Sequence, residues 1–160
     1  MAVSIRVARA SDAPEIAELT RQLGYEVETS AVADRLSRIL SRPDQEFLVA
    51  ERDGQPVGWV HVVISEYVET GAFVVIGGLV VDRSYRRTGI GGLLMAHAEE
   101  WARKHGCSLV RLWSSSTRTE SHRFYESVGY TRIKTQLSFV KSVDAAGRET
   151  LQTLIPKVDP

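Results

Sequence analysis

The chain has 160 residues, 43% hydrophobic and 25% charged, which suits a single domain over 1–160 with its own core and excludes a disordered or fibrous chain. Twenty Lys and Arg balance twenty Asp and Glu, so no broad nucleic-acid surface is expected, and the lone cysteine, Cys107, excludes an intrachain disulfide and fits a reducing, cytoplasmic setting. The N-terminus lacks the apolar run of a signal peptide, and the longest apolar stretch, 72–81, is too short to span a bilayer, so no membrane partner is expected.

An alternating segment over 3–8 predicts an opening strand. Asp12, with Glu15 three residues on, reads as a capping box for a helix whose inner face carries Ile16, Leu19 and Leu23 and which stops at Gly24. Ser30 then caps a second helix with Val32, Leu36, Ile39 and Leu40 on its buried stripe, ended by Arg42, Pro43 and Asp44. Strands over 47–51 and 56–64 flank a turn at 52–55 and form a hairpin. The nearly all-apolar run 72–82 has the character of a central strand buried on both faces. Its Gly77-Gly78 pair signals a bulge or a close approach by another group. A long helix over 89–105 follows, with Ile90, Leu93, Leu94, His97, Ala98 and Trp101 inward, and then a strand over 109–115. Thr117 and Glu120 match a capping box that opens a short helix to Val128, stopped by Gly129, with Phe124 and Val128 toward the core. Segments 130–135 and 137–143 read as a closing pair of strands. Apolar Leu151, Leu154 and Ile155 suggest that part of the tail packs. The order is that of a three-layer α/β domain.

The most informative stretch runs from Leu79 to Gly92: Leu-Val-Val-Asp-Arg-Ser-Tyr-Arg-Arg-Thr-Gly-Ile-Gly-Gly. A buried strand enters a glycine-rich turn, and the turn opens a helix. The first N–H groups of a helix have no internal acceptor, and the helix dipole adds positive charge there, so such an end binds phosphate. Gly89, Gly91 and Gly92 permit close approach to the backbone, while Arg86 and Arg87 add charge and a fork suited to phosphate. The Gly-Lys-Ser/Thr ending of a P-loop is absent, and Leu94 stands where a dinucleotide fingerprint needs its third glycine.

Together with the later Tyr125-Glu-Ser-Val-Gly-Tyr stretch, this pattern resembles the GNAT superfamily of N-acetyltransferases. The resemblance implies a three-layer α-β-α fold around a central mixed, mostly antiparallel sheet. It also implies acetyl-CoA as co-substrate with no metal. The cofactor contacts it implies fall on Leu79, Val80, Val81, Arg86, Arg87, Thr88, Gly89, Ile90, Gly91 and Gly92. Arg118 and Ser121 stand where relatives often have Asn and Ala; they share a helix face with Tyr125, and Arg118 could meet a phosphate or an acidic group of the substrate. The family's reaction is attack of a neutral amine on the acetyl thioester, with a tyrosine able to protonate the departing thiolate; Tyr125 occupies that position. Backbone N–H groups of the strand after Gly77 are the implied oxyanion donors, a bulge at Gly78-Leu79 freeing groups of Leu79 and Val81.

No single residue presents itself as the base that accepts the amine's proton. Glu66 is the first choice, with His61 on a strand and His122 on the short helix as further candidates. Tyr25, Glu26, Glu28, Tyr67 and Glu69 would make an acidic, aromatic acceptor wall suited to a cationic small-molecule amine. A non-catalytic acyl-CoA sensor and a protein or peptide N-acetyltransferase stay open beside this reading, while zero net charge argues against an enzyme acting on aminoacyl-tRNA. The resemblance also implies a homodimer.

Overall fold

In the computed structural model, which describes residues 2–154, the alternating segments and the apolar run assemble into one five-stranded sheet. Its strands are β1 (Ser4–Val7), β2 (Gln45–Arg52), β3 (Gln55–Tyr67), β4 (Gly71–Val81) and β5 (Val110–Arg111), side by side in that order. The first four pair antiparallel and β5 joins β4 in parallel. The mixed, mostly antiparallel sheet is therefore as expected. The chain divides into two compact units, Met1–Trp113 and Ser114–Pro160, and the sheet lies wholly in the first.

Helices α1 (Ala13–Leu23) and α2 (Thr29–Leu40) pack on one face of the sheet. There Ile16, Leu19, Val32 and Leu36 meet Phe47, Val49, Trp59 and Val80, all of them buried. Helix α3 (Ile90–Lys104) covers the other face. Its buried residues are Ile90, Leu94, Met95, Ala98, Trp101 and Ala102. Leu93 and His97, expected inside, are exposed, and Met95 and Ala102 take their places, a small rotation of the buried stripe. Burying these side chains is the main stabilising term, at about 25 cal/mol per Å² of apolar surface removed from water.

Neither of the caps expected for α1 and α2 forms. Asp12 does not cap α1; its carboxylate takes two hydrogen bonds from Arg6, at 2.8 and 2.9 Å, and one from the Arg9 N–H at 2.7 Å. Glu51 shares the same guanidinium at 2.6 Å. The Arg6–Asp12 ion pair, six residues apart in the chain, takes the carboxylate away from the cap, and Glu51 joins it from β2. Helix α2 begins at Thr29, with Glu28 rather than Ser30 at its N-cap.

The hairpin between β2 and β3 turns at Asp53 and Gly54, both at positive φ. Strand β5 is two residues long, shorter than the run 109–115 predicts. Cys107 is buried and unpaired with any other cysteine.

In the second unit, α4 spans Thr119–Ser127 and α5 spans Ala145–Leu154. Arg118 is the N-cap of α4 and makes no side-chain cap bond, so the Thr117–Glu120 box does not form. Phe124 and Val128 are half-buried. The expected closing strands over 130–135 and 137–143 are not formed: these residues carry neither helix nor strand. A strand needs a ladder partner as well as a suitable local sequence, and among the described residues none pairs with this segment. Ile155 lies outside the described residues.

Candidate functional site

Strand β4 is the axis of the site. On its inner side it pairs with β3, with Trp59 opposite Val80, His61 opposite Gly78 and Val62 opposite Ile76. Gly77 is thus the extra residue of a β-bulge, one position earlier than expected. The glycine pair has a packing reason. A Cβ on Gly78 would stand 2.7 Å from Cη2 and Cζ3 of Trp59, and one on Gly77 would stand 3.0 Å from Nδ1 of His61. The close approach is made by two side chains of β3.

On its outer side β4 pairs with β5 only at Val74 and Val75. From Ile76 to Val81 no strand among the described residues pairs with that edge, although Arg86 Nε reaches the Val81 carbonyl at 3.2 Å. The Asp82 N–H donates to the Val57 carbonyl at 2.9 Å. Antiparallel alternation then aims the backbone groups of Val80 at β3 and those of Leu79 and Val81 at the open edge. Val80, expected among the ligand contacts, has a buried side chain as well, so the strand offers Leu79 and Val81 and withholds Val80.

The open edge runs directly into the turn. Asp82 begins it, accepting from the Ser84 N–H at 2.8 Å and from Gln22 Nε2 at 2.9 Å. Gln22 Oε1 in turn accepts from the Arg83 N–H at 3.0 Å, so α1 clamps the turn onto the sheet. The Gln22 bond, aided by Ser84 and the nearby Arg86 charge, holds the Asp82 carboxyl below the usual carboxylate range against an opposing effect of burial. Gln22 carries no motif, and only this contact reveals its part. Arg86 donates from Nε to the Val81 carbonyl at 3.2 Å, and the Thr88 hydroxyl donates to the Tyr85 carbonyl at 2.5 Å.

Arg87 and Gly89 both sit at positive φ, 63° and 89°. A non-glycine residue there is held at a cost of about 1–3 kcal/mol and marks a shape the surroundings impose. The result is a run of main-chain N–H groups, Arg87 to Gly92, that donate to no described residue; the first helical bond of α3 is Leu93 N–H to the Gly89 carbonyl at 3.1 Å. Such a concave run at the head of a fifteen-residue helix is an anion cradle. The cradle could hold a phosphate, and the edge at Leu79 and Val81 could hydrogen-bond an extended amide-bearing arm as an added strand would.

At the far end of β4, Tyr67 packs edge-on against Phe73 at 4.9 Å between ring centroids, and Arg111 lies over Phe73 at 4.7 Å and near Trp113 at 5.6 Å. Arg111 and Trp113 carried no sequence signal. Glu66, opposite Ala72, is exposed. It lies five positions along β3 from His61, roughly 17 Å at strand rise, on the opposite face of the sheet.

The second unit carries Arg118, Ser121 and Tyr125. Arg118 is exposed, while Ser121 and Tyr125 are half-buried. Tyr125 packs near Phe124 and Tyr130, at 5.2 and 6.0 Å. Burial pushes its hydroxyl pKa above the ordinary value, and the Arg118 charge opposes this more weakly. It is therefore protonated at neutral pH, the state a proton donor requires. His122 is engaged, with Nε2 2.8 Å from the Ser115 carbonyl oxygen. Among the described residues no cluster of His, Cys, Asp and Glu could hold a metal ion, and no helix is long and apolar enough to cross a membrane.

The model of the acetyltransferase (GNAT) family matches residues 13–130, across the boundary between the two units. The chain is 30% identical over 107 residues to an aminoglycoside N(6')-acetyltransferase type 1 of Klebsiella aerogenes, covering 65% of this chain and 70% of that protein. It is 32% identical over 109 residues to the aminoalkylphosphonate N-acetyltransferase of Salmonella typhimurium, covering 68% and 71%. Its fold is similar to that of aminoglycoside N-acetyltransferase AAC(6')-Iy in complex with a CoA-containing bisubstrate analogue, with a TM-score of 0.81 at 21% identity over 89% of this chain and 99% of the other. A glucosamine-6-phosphate N-acetyltransferase from Arabidopsis thaliana gives a TM-score of 0.75 at 26% identity over 90% and 100%. The chain belongs to the GNAT family of acetyltransferases.

Proposed function

We propose that this enzyme transfers the acetyl group of acetyl-CoA to a primary amine of a small molecule. The observation that carries the reading is the continuous open edge of β4 from the bulge at Gly77 to the N–H cradle at Arg87–Gly92. The cradle would take the CoA phosphates, with Arg86, Arg87 and Thr88 around them. Leu79 and Val81 would hold the pantetheine amides, and the thioester would lie at the bulge, about 13 Å along the strand from Val81. There the unpaired main-chain groups beside the glycines are suited to polarise the carbonyl as oxyanion charge develops. Tyr125 would protonate the departing sulfur, and Arg118 and Ser121 would contact the cofactor or the acceptor. A small-molecule acceptor is supported by the named relatives, which act on aminoglycosides and on aminoalkylphosphonates.

Release of free thiol from acetyl-CoA tests the reading, with neamine, 1-aminoethylphosphonate, glucosamine 6-phosphate and a short peptide amine as acceptors. Thiol release with a small amine is expected. Acetyl-CoA binding without release on any of them would favour an acyl-CoA sensor, and release on the peptide alone would favour a protein acetyltransferase.

A homodimer belongs to the same proposal. Ile133, Leu137, Phe139 and Val143 are 74–89% exposed, and apolar side chains left this open on one segment favour cover by a partner surface. Light scattering on the purified chain tests it. The reduced thiol of Cys107 fits a cytoplasmic location.

A further inference from the structure

His61 stands directly over the bulge. It is on the α1–α2 face of β3, opposite Gly78, and its Nδ1 lies 3.0 Å from the point where a Cβ of Gly77 would be, closer than Cγ at 3.5 Å or Cε1 at 3.7 Å. The ring therefore presents Nδ1 to the one place on β4 where the ladder is broken and the side chain is missing. Its other nitrogen is fixed: Nε2 is 2.8 Å from Oε1 of Gln45 on β2. An amide oxygen only accepts, so the ring proton is on Nε2, and Nδ1 carries a lone pair. No described residue hydrogen-bonds to Nδ1. Phe47 packs against the ring at 5.6 Å.

We propose that His61 is the general base of the acetyl transfer, taking the amine's proton on Nδ1 above the Gly77 bulge, with Gln45 as the positioning residue that sets its tautomer. This rests on the reading that the thioester lies at the bulge. Burial holds the imidazole below the ordinary histidine value, and no charged neighbour contributes. The groups around it are uncharged: Gln45 and Phe47 from β2, Trp59 and Val63 from β3, Val75 and Gly78 from β4. From the helices packed on this face, Arg35 lines a small cavity with Phe47 and Trp59. Glu46 faces the other side of the sheet, in a cleft with His97 and Lys104. The ring is thus neutral at neutral pH and able to accept a proton.

The step balances as follows. Nδ1 takes one proton from the ammonium form of the acceptor, leaving a neutral amine. The amine lone pair forms the C–N bond while the carbonyl π pair moves to oxygen. Collapse restores C=O and breaks C–S, the second nitrogen proton ends on the CoA sulfur, and His61 returns its proton to solvent.

The test uses His61→Gln and His61→Ala beside the wild type. The probes are acetyl-CoA alone, whose slow hydrolysis puts water in the amine's place, and acetyl-CoA with the panel amine that releases thiol fastest. His61→Gln should lower kcat about 100-fold in both reactions, the low end of a general-base contribution, with KM for acetyl-CoA changed less than about twofold. Added imidazole should restore part of the His61→Ala rate. Gln45→Glu, by placing a carboxylate on Nε2, should stabilise the imidazolium and move the acid limb of the rate profile to higher pH. Imidazole ¹⁵N spectra of the unaltered protein should show the proton on Nε2. A proton on Nδ1, or a folded His61→Gln with more than about a tenth of the wild-type kcat, overturns the assignment. Wild type that fails to bind acetyl-CoA by calorimetry overturns the proposed function and this inference together. Wild type and His61→Gln that release thiol equally overturn the inference alone.

Discussion

Gly78→Ala adds one carbon at a point that Trp59 already occupies. The new Cβ would lie 2.7 Å from both Cη2 and Cζ3 of the indole, where carbon–carbon contacts prefer about 3.5–4.0 Å. The ring must therefore retreat by roughly 1 Å, since the clash is with its rigid six-membered edge rather than a flexible chain end. Trp59 is 6% exposed and stacks at 5.0 Å on Phe47, which is itself 6% exposed. Gly78 is not among the residues at positive φ, so the added cost is steric, and overpacking of this kind costs about 1–3 kcal/mol. For a chain of this size each kcal/mol lowers Tm by about 2–4 °C, giving an expected fall between about 2 and 12 °C. Thermal unfolding followed by circular dichroism measures it. The partner variant is Trp59→Leu, which removes the clashing edge. Trp59→Leu costs stability by itself, but in its background Gly78→Ala should add little, a coupling of about 1–3 kcal/mol between the two positions. Equal cost in both backgrounds, or a single variant that melts within about 1 °C of wild type, would refute the packing account of this glycine.

Gly89→Ala meets no steric neighbour but forces alanine to φ 89°. The cradle should distort and acetyl-CoA should bind about tenfold more weakly by calorimetry, equivalent to 1.4 kcal/mol. Asp12→Asn should lower unfolding free energy by about 2 kcal/mol, the scale of hydrogen bonds to a charged group, as read by urea denaturation. Burial raises the Asp12 pKa, but the Arg6 fork and the Arg9 N–H outweigh it and hold the carboxyl below its ordinary value of 3.8. Its stabilising share is therefore full above that value and lost as pH falls through the lower folded one, so Asp12→Asn should flatten the acid side of the Tm profile. Tyr125→Phe should lower turnover at least about tenfold with acetyl-CoA binding little changed; unaltered turnover would remove the hydroxyl from the chemistry.

Where a property is carried by neighbours in the chain, the residues alone were enough. The α/β order, the long helix, the Asp53-Gly54 hairpin and the Arg86–Gly92 turn all follow from periodicity, glycine placement and the unpaired N–H groups of a helix start. The family resemblance rested on the same local patterns. What the chain order could not settle was anything fixed by register between strands. Segments 130–135 and 137–143 read as strands, yet a ladder needs a partner, and no amount of local pattern supplies one. Asp12 reads as a cap, but Arg6 on β1 takes its carboxylate, and the β1–β2 pairing sets Glu51 on the same guanidinium. Gln22 is an ordinary helix residue except that it reaches Asp82, sixty positions away. The Gly77-Gly78 pair was legible as a place of close approach, but only the pairing of β3 with β4 shows that Trp59 and His61 make it. The same pairing decides that Leu79 and Val81, and not Val80, face the open edge, because hydrogen-bonding direction alternates along a strand and its phase is set by the neighbour. Glu66 and His61 were both plausible bases in one dimension; strand alternation puts them on opposite faces, and only His61 stands over the bulge.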